Sequence, residues 1–99
     1  MRDRVKYLER NDVKAALTIL RENGVKRVFL YGSEVKGKQH HFSDIDLACE
    51  GITPDRFFKV FGRLLSMIER RVDLVDLKDV KETFRKRIER EGVLLYEEK

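Results

Sequence analysis

The stretch that most constrains this chain runs from Tyr31 to Glu50 and reads YGSEVKGKQHHFSDIDLACE. Before it, Val25-Lys26-Arg27-Val28-Phe29-Leu30-Tyr31 is rich in β-branched and aromatic residues and reads as a strand entering a turn at Gly32-Ser33. Ten residues separate Ser33 from Asp44-x-Asp46, which opens a second strand ending at Glu50. Side chains alternate along a strand, so Asp44, Asp46 and Ala48 share one face while Ile45, Leu47 and Cys49 share the other. One face packs, and the other carries acids.

Two carboxylates on one strand face start about 6.5–7 Å apart at the backbone and can converge on one hard cation. Mg²⁺ suits such a site because it takes oxygen ligands and shares them with substrate phosphates. Alone, an Asp-x-Asp is usually surface charge, and a Gly-Ser pair is an ordinary turn. Together they say more. Glycine lets the backbone approach a ligand, and Ser33 would open a short helix to Lys36, ended by Gly37. A helix start offers free N–H groups and a positive dipole end, a cradle for phosphate.

Two-metal transfer to a hydroxyl calls for a third acid. Asp73 lies inside the apolar run Val72-Asp73-Leu74-Val75, where an unpaired carboxylate is costly to bury. Its parity is opposite to that of Val72 and Leu74, which places it on the open face with Asp44 and Asp46. Asp76 has the packed parity and is expected to cap the strand end. His40-His41 is read as solvent-exposed and not as a metal site, because Mg²⁺ prefers oxygen.

The remaining chain supplies helices. Residues 1–10 start helical; Asn11 caps a helix to about Asn23, with Val13, Ala16, Leu17 and Leu20 on one face and Gly24 as its stop. Thr53-Pro54 starts a helix whose apolar face is Phe57, Val60, Phe61, Leu64, Leu65 and Ile68. Val72 to Leu77 is a strand. Asp79-x-x-Glu82 opens a helix that packs through Val80, Phe84, the Arg87 stem and Ile88; Gly92 ends it, and Val93 to Tyr96 is the last strand. The basic residues of that helix find partners at i, i+4 (Glu82 with Lys86, Arg85 with Glu89), which reads as a solvated face and not as an RNA-binding one. Strands alternating with helices give an α/β (α+β) layer fold: a mixed sheet of about four strands, helices on one face and acids on the other.

Length fits one domain, residues 1–99, and 41% hydrophobic residues are enough for a core despite 40% charge. The charged N-terminus does not read as a signal peptide, no apolar run is long enough for a membrane span, and the lone Cys49 fits a reducing compartment. Cytoplasm is the expectation. A net charge of +4 suits a polyanionic ligand such as a nucleoside triphosphate, but 22 basic residues set against 18 acidic ones also describe an ordinary solvated surface.

The combination Gly32-Ser33, Asp44-x-Asp46 and a later strand aspartate, Asp73, resembles the DNA polymerase β-like nucleotidyltransferase superfamily. More narrowly, VKRVFLYGS, Gly37, SDIDL, VDLVDL and REGVLLYE resemble the minimal nucleotidyltransferases, the antitoxins of HEPN–nucleotidyltransferase toxin–antitoxin pairs. The resemblance implies that Gly32 and Ser33 hold the triphosphate of ATP and that Asp44, Asp46 and Asp73 bind two Mg²⁺ ions. It implies AMP transfer to a tyrosine of a HEPN-domain toxin. Family members often carry arginines after Gly-Ser; here Glu34 and Lys36 stand in that region, so Lys36 is the expected phosphate contact. The alternative is a module that neutralises the toxin by binding alone.

Overall fold

The structure, a computed structural model, describes residues 4–32 and 45–98. Ser33, Lys36, Gly37, His40, His41 and Asp44, with the expected short helix after Gly32, lie outside the described residues.

The elements follow in order α1 (Val5–Leu8), α2 (Asn11–Glu22), β1 (Arg27–Tyr31), β2 (Ile45–Glu50), α3 (Pro54–Met67), β3 (Val72–Asp76), α4 (Glu82–Glu91) and β4 (Val93–Glu97). The sheet order is β3-β2-β1-β4. β1 runs antiparallel to both β2 and β4, while β2 and β3 are parallel. A parallel neighbour requires a crossover, which α3 supplies.

The strand parities place the core. Val28, Leu30, Ile45, Leu47, Cys49, Val72, Leu74, Val93 and Leu95 point to one face and meet Val13, Ala16, Ile19 and Leu20 of α2 and Val60 and Leu64 of α3. Cys49 is fully enclosed there, and burial, with a smaller contribution from Asp76, pushes its thiol up to about 12. Phe29 and Ala48 point to the opposite face, where Leu77 and Ile88 join them. The mixed four-strand sheet is as expected; in addition, α4 partly covers the acid-bearing face.

An ion cluster fixes α4 to that face. Arg27 of β1 donates to both Glu50 (2.8 Å) on β2 and Glu89 (2.9 Å) on α4, and Arg85 of α4 donates to Glu50 (3.3 Å). At the other end of the contact the rings of Tyr31 and Phe84 meet edge to face, 5.7 Å between centroids. The expected pairs within α4 are present, Lys86 to Glu82 at 3.3 Å and Arg85 to Glu89 at 3.7 Å.

Four local expectations need correction. The helix α2 begins at Asn11, with Arg10 in the cap position; Asp12 bonds Arg10 (2.9 Å) and Arg70 (3.2 Å) across the first turn. Asp79 does not start α4. Asp76 takes the Lys78 N–H on its side chain (3.0 Å) and the Asp79 N–H on its carbonyl (3.0 Å), so residues 77–80 turn and the helix waits for Glu82. Arg87 leaves the packed face and pairs with Glu91 (3.5 Å). Leu65 is 54% exposed, because α3 has one sheet layer to cover and that layer reaches only Val60 and Leu64, flanked by Phe57 and Phe61. Asp76 at the strand end is the cap that its parity indicated.

Two predictions follow from this packing. Leu64→Ala should cost about 3 kcal/mol in urea unfolding, whereas Leu65→Ala should stay within roughly 0.5 kcal/mol of the parent; equal losses would refute the face assignment. The hydrogen bond from Arg27 holds the Glu50 carboxyl below its ordinary value of 4.5. A depressed carboxylate stabilises above its unfolded pKa, and that contribution disappears as pH falls through the folded one. Glu50→Gln should therefore be less stable by about 1 kcal/mol at pH 7, and the gap should close below pH 4.5, as read by denaturation at each pH.

Candidate active site

The acid-bearing face is built by register. In the β2–β3 ladder Asp46 lies directly opposite Asp73, and in the β1–β2 ladder Asp46 lies opposite Tyr31. Three neighbouring strands thus present Asp73, Asp46 and Tyr31 in a row, with about 4.8 Å between successive strands. Asp46 is half-buried and Asp73 is exposed at the edge strand. The packed face behind them is closed by Ile45, Leu47, Val72 and Leu74, which keeps the acids turned outward.

Gly32 follows Tyr31 with φ +81°, a left-handed conformation that side chains rarely adopt. A Cβ there would collide with the Asp46 carboxylate, whose Cγ stands 3.2 Å from the built position. The first residue of the Gly-Ser turn therefore lies against the second residue of the Asp-x-Asp pair. Of the residues singled out in the sequence, Gly32, Asp46 and Asp73 come together; Ser33, Lys36 and Asp44 lie outside the described residues.

The donor set fits a hard cation: two adjacent carboxylates on an open face beside a turn that only glycine can make so closely. Among the described residues no group of three acidic, histidine or cysteine side chains forms a complete metal cage. Asp46 and Asp73 would be two of the ligands, with Asp44 as the third.

Tyr31, by sequence only a strand residue, is a neighbour of the site. Burial first, then the charges of Asp46 and Asp73, push its hydroxyl well above the ordinary tyrosine value. It remains protonated at working pH and can donate a hydrogen bond beside the two carboxylates. Its parity with Asp46 across the antiparallel ladder was the available signal, but that parity acquires meaning only once the register is known.

Gly32→Ala should disturb both fold and site, since it forces a strained φ and a clash with Asp46. A loss of about 1–3 kcal/mol is expected, against a gain of up to about 1 kcal/mol for Gly62→Ala, which lies inside α3 and where an added Cβ meets nothing within 4 Å. Parallel thermal melts would check the contrast, and equal effects would sink it.

Comparison with known proteins places this geometry. No curated protein sequence matches the chain. The fold is similar to a crystal structure of a toxin–antitoxin pair with AMP-PNP, at 27% identity and TM-score 0.75, covering 91% of this chain and 76% of that one. A tyrosine-to-alanine mutant of an MntA–HpeT toxin–antitoxin pair is similar at 27% identity and TM-score 0.73, covering 92% and 76%. At 22% identity, TM-score 0.68 and coverage of 88% and 71%, the fold is also that found in a Shewanella oneidensis structure of tri-AMPylated HEPN toxin in complex with MNT antitoxin. Residues 14–99 match the family model described as polymerase beta, nucleotidyltransferase. Since that match covers most of the chain and includes Gly32, Asp46 and Asp73, the chain belongs to the polymerase β nucleotidyltransferase family.

Proposed function

We propose that residues 1–99 form one minimal nucleotidyltransferase domain that transfers AMP from ATP to a tyrosine hydroxyl of a HEPN-domain toxin and so acts as its antitoxin in the cytoplasm. The observation that carries the reading is the pairing of Asp46 with Asp73 in register, with Gly32 against Asp46. Support comes from the family match and from the similar toxin–antitoxin structure that holds AMP-PNP, a nucleotide of the class proposed as substrate.

In this reading Asp44, Asp46 and Asp73 hold two Mg²⁺ ions, and Gly32, Ser33 and Lys36 hold the triphosphate. Held there, Mg²⁺ would supply charge neutralisation for the phosphates. The toxin hydroxyl oxygen forms a bond to the α-phosphorus as the bond from that phosphorus to the bridging oxygen breaks, and pyrophosphate leaves. Asp73, at the exposed edge strand, is positioned to accept the hydroxyl proton. Tyr31 remains neutral beside the carboxylates and adds no charge to the row.

Glu34 favours a second reading, because a carboxylate beside the Gly-Ser turn repels phosphate. There the chain silences the toxin by stoichiometric binding without transfer.

The test uses purified chain and its HEPN-domain toxin with α-³²P-ATP and Mg²⁺. Label should appear on the toxin and fall to background in Asp46→Asn, in Asp73→Asn and after chelation by EDTA. An unlabelled toxin would end the transfer reading, and neutralisation that survives both substitutions would establish the binding reading in its place.

A further inference from the structure

The helix α3 carries an apolar stripe that its own chain leaves uncovered. Phe58 is 73% exposed and Leu65 54% exposed, while Phe61 is half-buried between them. Phe58, Phe61, Gly62 and Leu65 stand three, four and seven positions apart, so they form one continuous strip along the helix. The ring of Phe58 meets that of Phe57 edge to face, 5.9 Å between centroids, and stays open to solvent. Aromatic residues, phenylalanine among them, are enriched in protein interfaces relative to the rest of the surface.

Gly62 supplies a second, independent observation. A glycine inside a helix costs about 1 kcal/mol relative to alanine. The other glycines among the described residues have a local reason: Gly24, Gly32 and Gly51 have positive φ, and a Cβ at Gly92 would strike the Ile88 carbonyl. Gly62 has neither feature; its φ is not positive, and a Cβ there would meet nothing within 4 Å. The position it leaves open lies between Phe58 and Leu65 on the same exposed face of the helix.

Charge narrows the occupant. The edge of the stripe beside Gly62 begins with Asp55 and continues with Lys59 and Arg63, both exposed; the Arg63 guanidinium reaches the Met67 sulfur at 3.8 Å. In a two-fold antiparallel pair of α3 helices, like edges would lie together and set Lys59 and Arg63 against their own copies. A second copy of this chain is therefore the poorer match, and a helix with carboxylates along one edge is the better one.

We propose that the Phe58–Gly62–Leu65 stripe of α3 is the docking face for an amphipathic helix of the toxin, apolar along its seam and acidic along the edge that meets Lys59 and Arg63. The owner of that helix rests on the reading above; the chemistry of the helix rests on the stripe. Docking there engages the side of the sheet opposite the acids, so binding and transfer are separable functions of one small chain.

The test measures calorimetric affinity of the full chain for its HEPN-domain toxin at low and high salt. Phe58→Ser and Gly62→Leu should each weaken binding by about tenfold or more; the thermal midpoint of the isolated chain should fall in neither, since Phe58 is 73% exposed and leucine is the better helix former at position 62. Arg63→Glu should weaken binding and flatten its salt dependence, while Lys86→Ser on α4 should change neither. The proposal is overturned by Phe58→Ser and Gly62→Leu affinities within about twofold of the parent, or by a toxin that does not bind the parent chain. It is equally overturned by a midpoint that falls in Phe58→Ser, which would mean that the chain covers its own stripe. A parent dimer in sedimentation that Phe58→Ser dissolves would make a second copy the occupant and overturn it too. AMP transfer is scored separately. A toxin that binds the parent but gains no AMP defeats the transfer reading alone, and one bound and AMPylated equally by Phe58→Ser defeats the docking proposal alone.

Discussion

The structure depends on β2 pairing with two different neighbours at once. Its antiparallel ladder with β1 sets Asp46 beside Tyr31, and its parallel ladder with β3 sets the same residue beside Asp73. A slip of one residue in either ladder would turn an aspartate into the packed layer, where an unpaired carboxylate is too costly to keep. What prevents the slip is the opposite face: Ile45, Leu47 and Cys49 are fully enclosed and cannot be exchanged for Asp46 or Ala48 without opening the core. The hydrophobic layer therefore fixes the position of the charged one.

The same coupling explains why the two faces are closed unequally. Behind the sheet, α2 and α3 cover a continuous apolar surface. In front, α4 covers only the end where Phe29 and Ala48 lie, and it is tied there by Arg27, Glu50, Arg85 and Glu89. Among the described residues no helix covers the other end of that face, where the acids lie, and the Tyr31–Phe84 contact stands at its border. A small chain can thus keep a stable core and still expose two like charges side by side, a pairing that favours a bound cation.

Much of this was legible residue by residue. Alternation alone assigned Asp46 and Asp73 to the open face and Cys49 to the packed one, because a strand has only two sides. Turn chemistry located Gly24 and Gly32, both found with positive φ. Helix details were less legible. Asp79-x-x-Glu82 has the spacing of a cap, but Asp76 already bonds the backbone that would have to continue into it. Leu65 satisfies the apolar period of α3, yet its exposure depends on how wide a layer lies beneath the helix, and periodicity carries no information about that width.

The sequence by itself determined the class of the fold and the sidedness of β2 and β3, with Asp46 and Asp73 on one face, since these follow from local periodicity and side-chain type. Only the tertiary structure decided that Asp46 stands between Tyr31 and Asp73, that Gly32 presses on the Asp46 carboxylate, and that α4 shares the acid-bearing face. These are contacts between residues far apart in the chain, fixed by strand order and register. Order and register are settled by the simultaneous packing of both faces, a property of the whole chain that no short stretch contains.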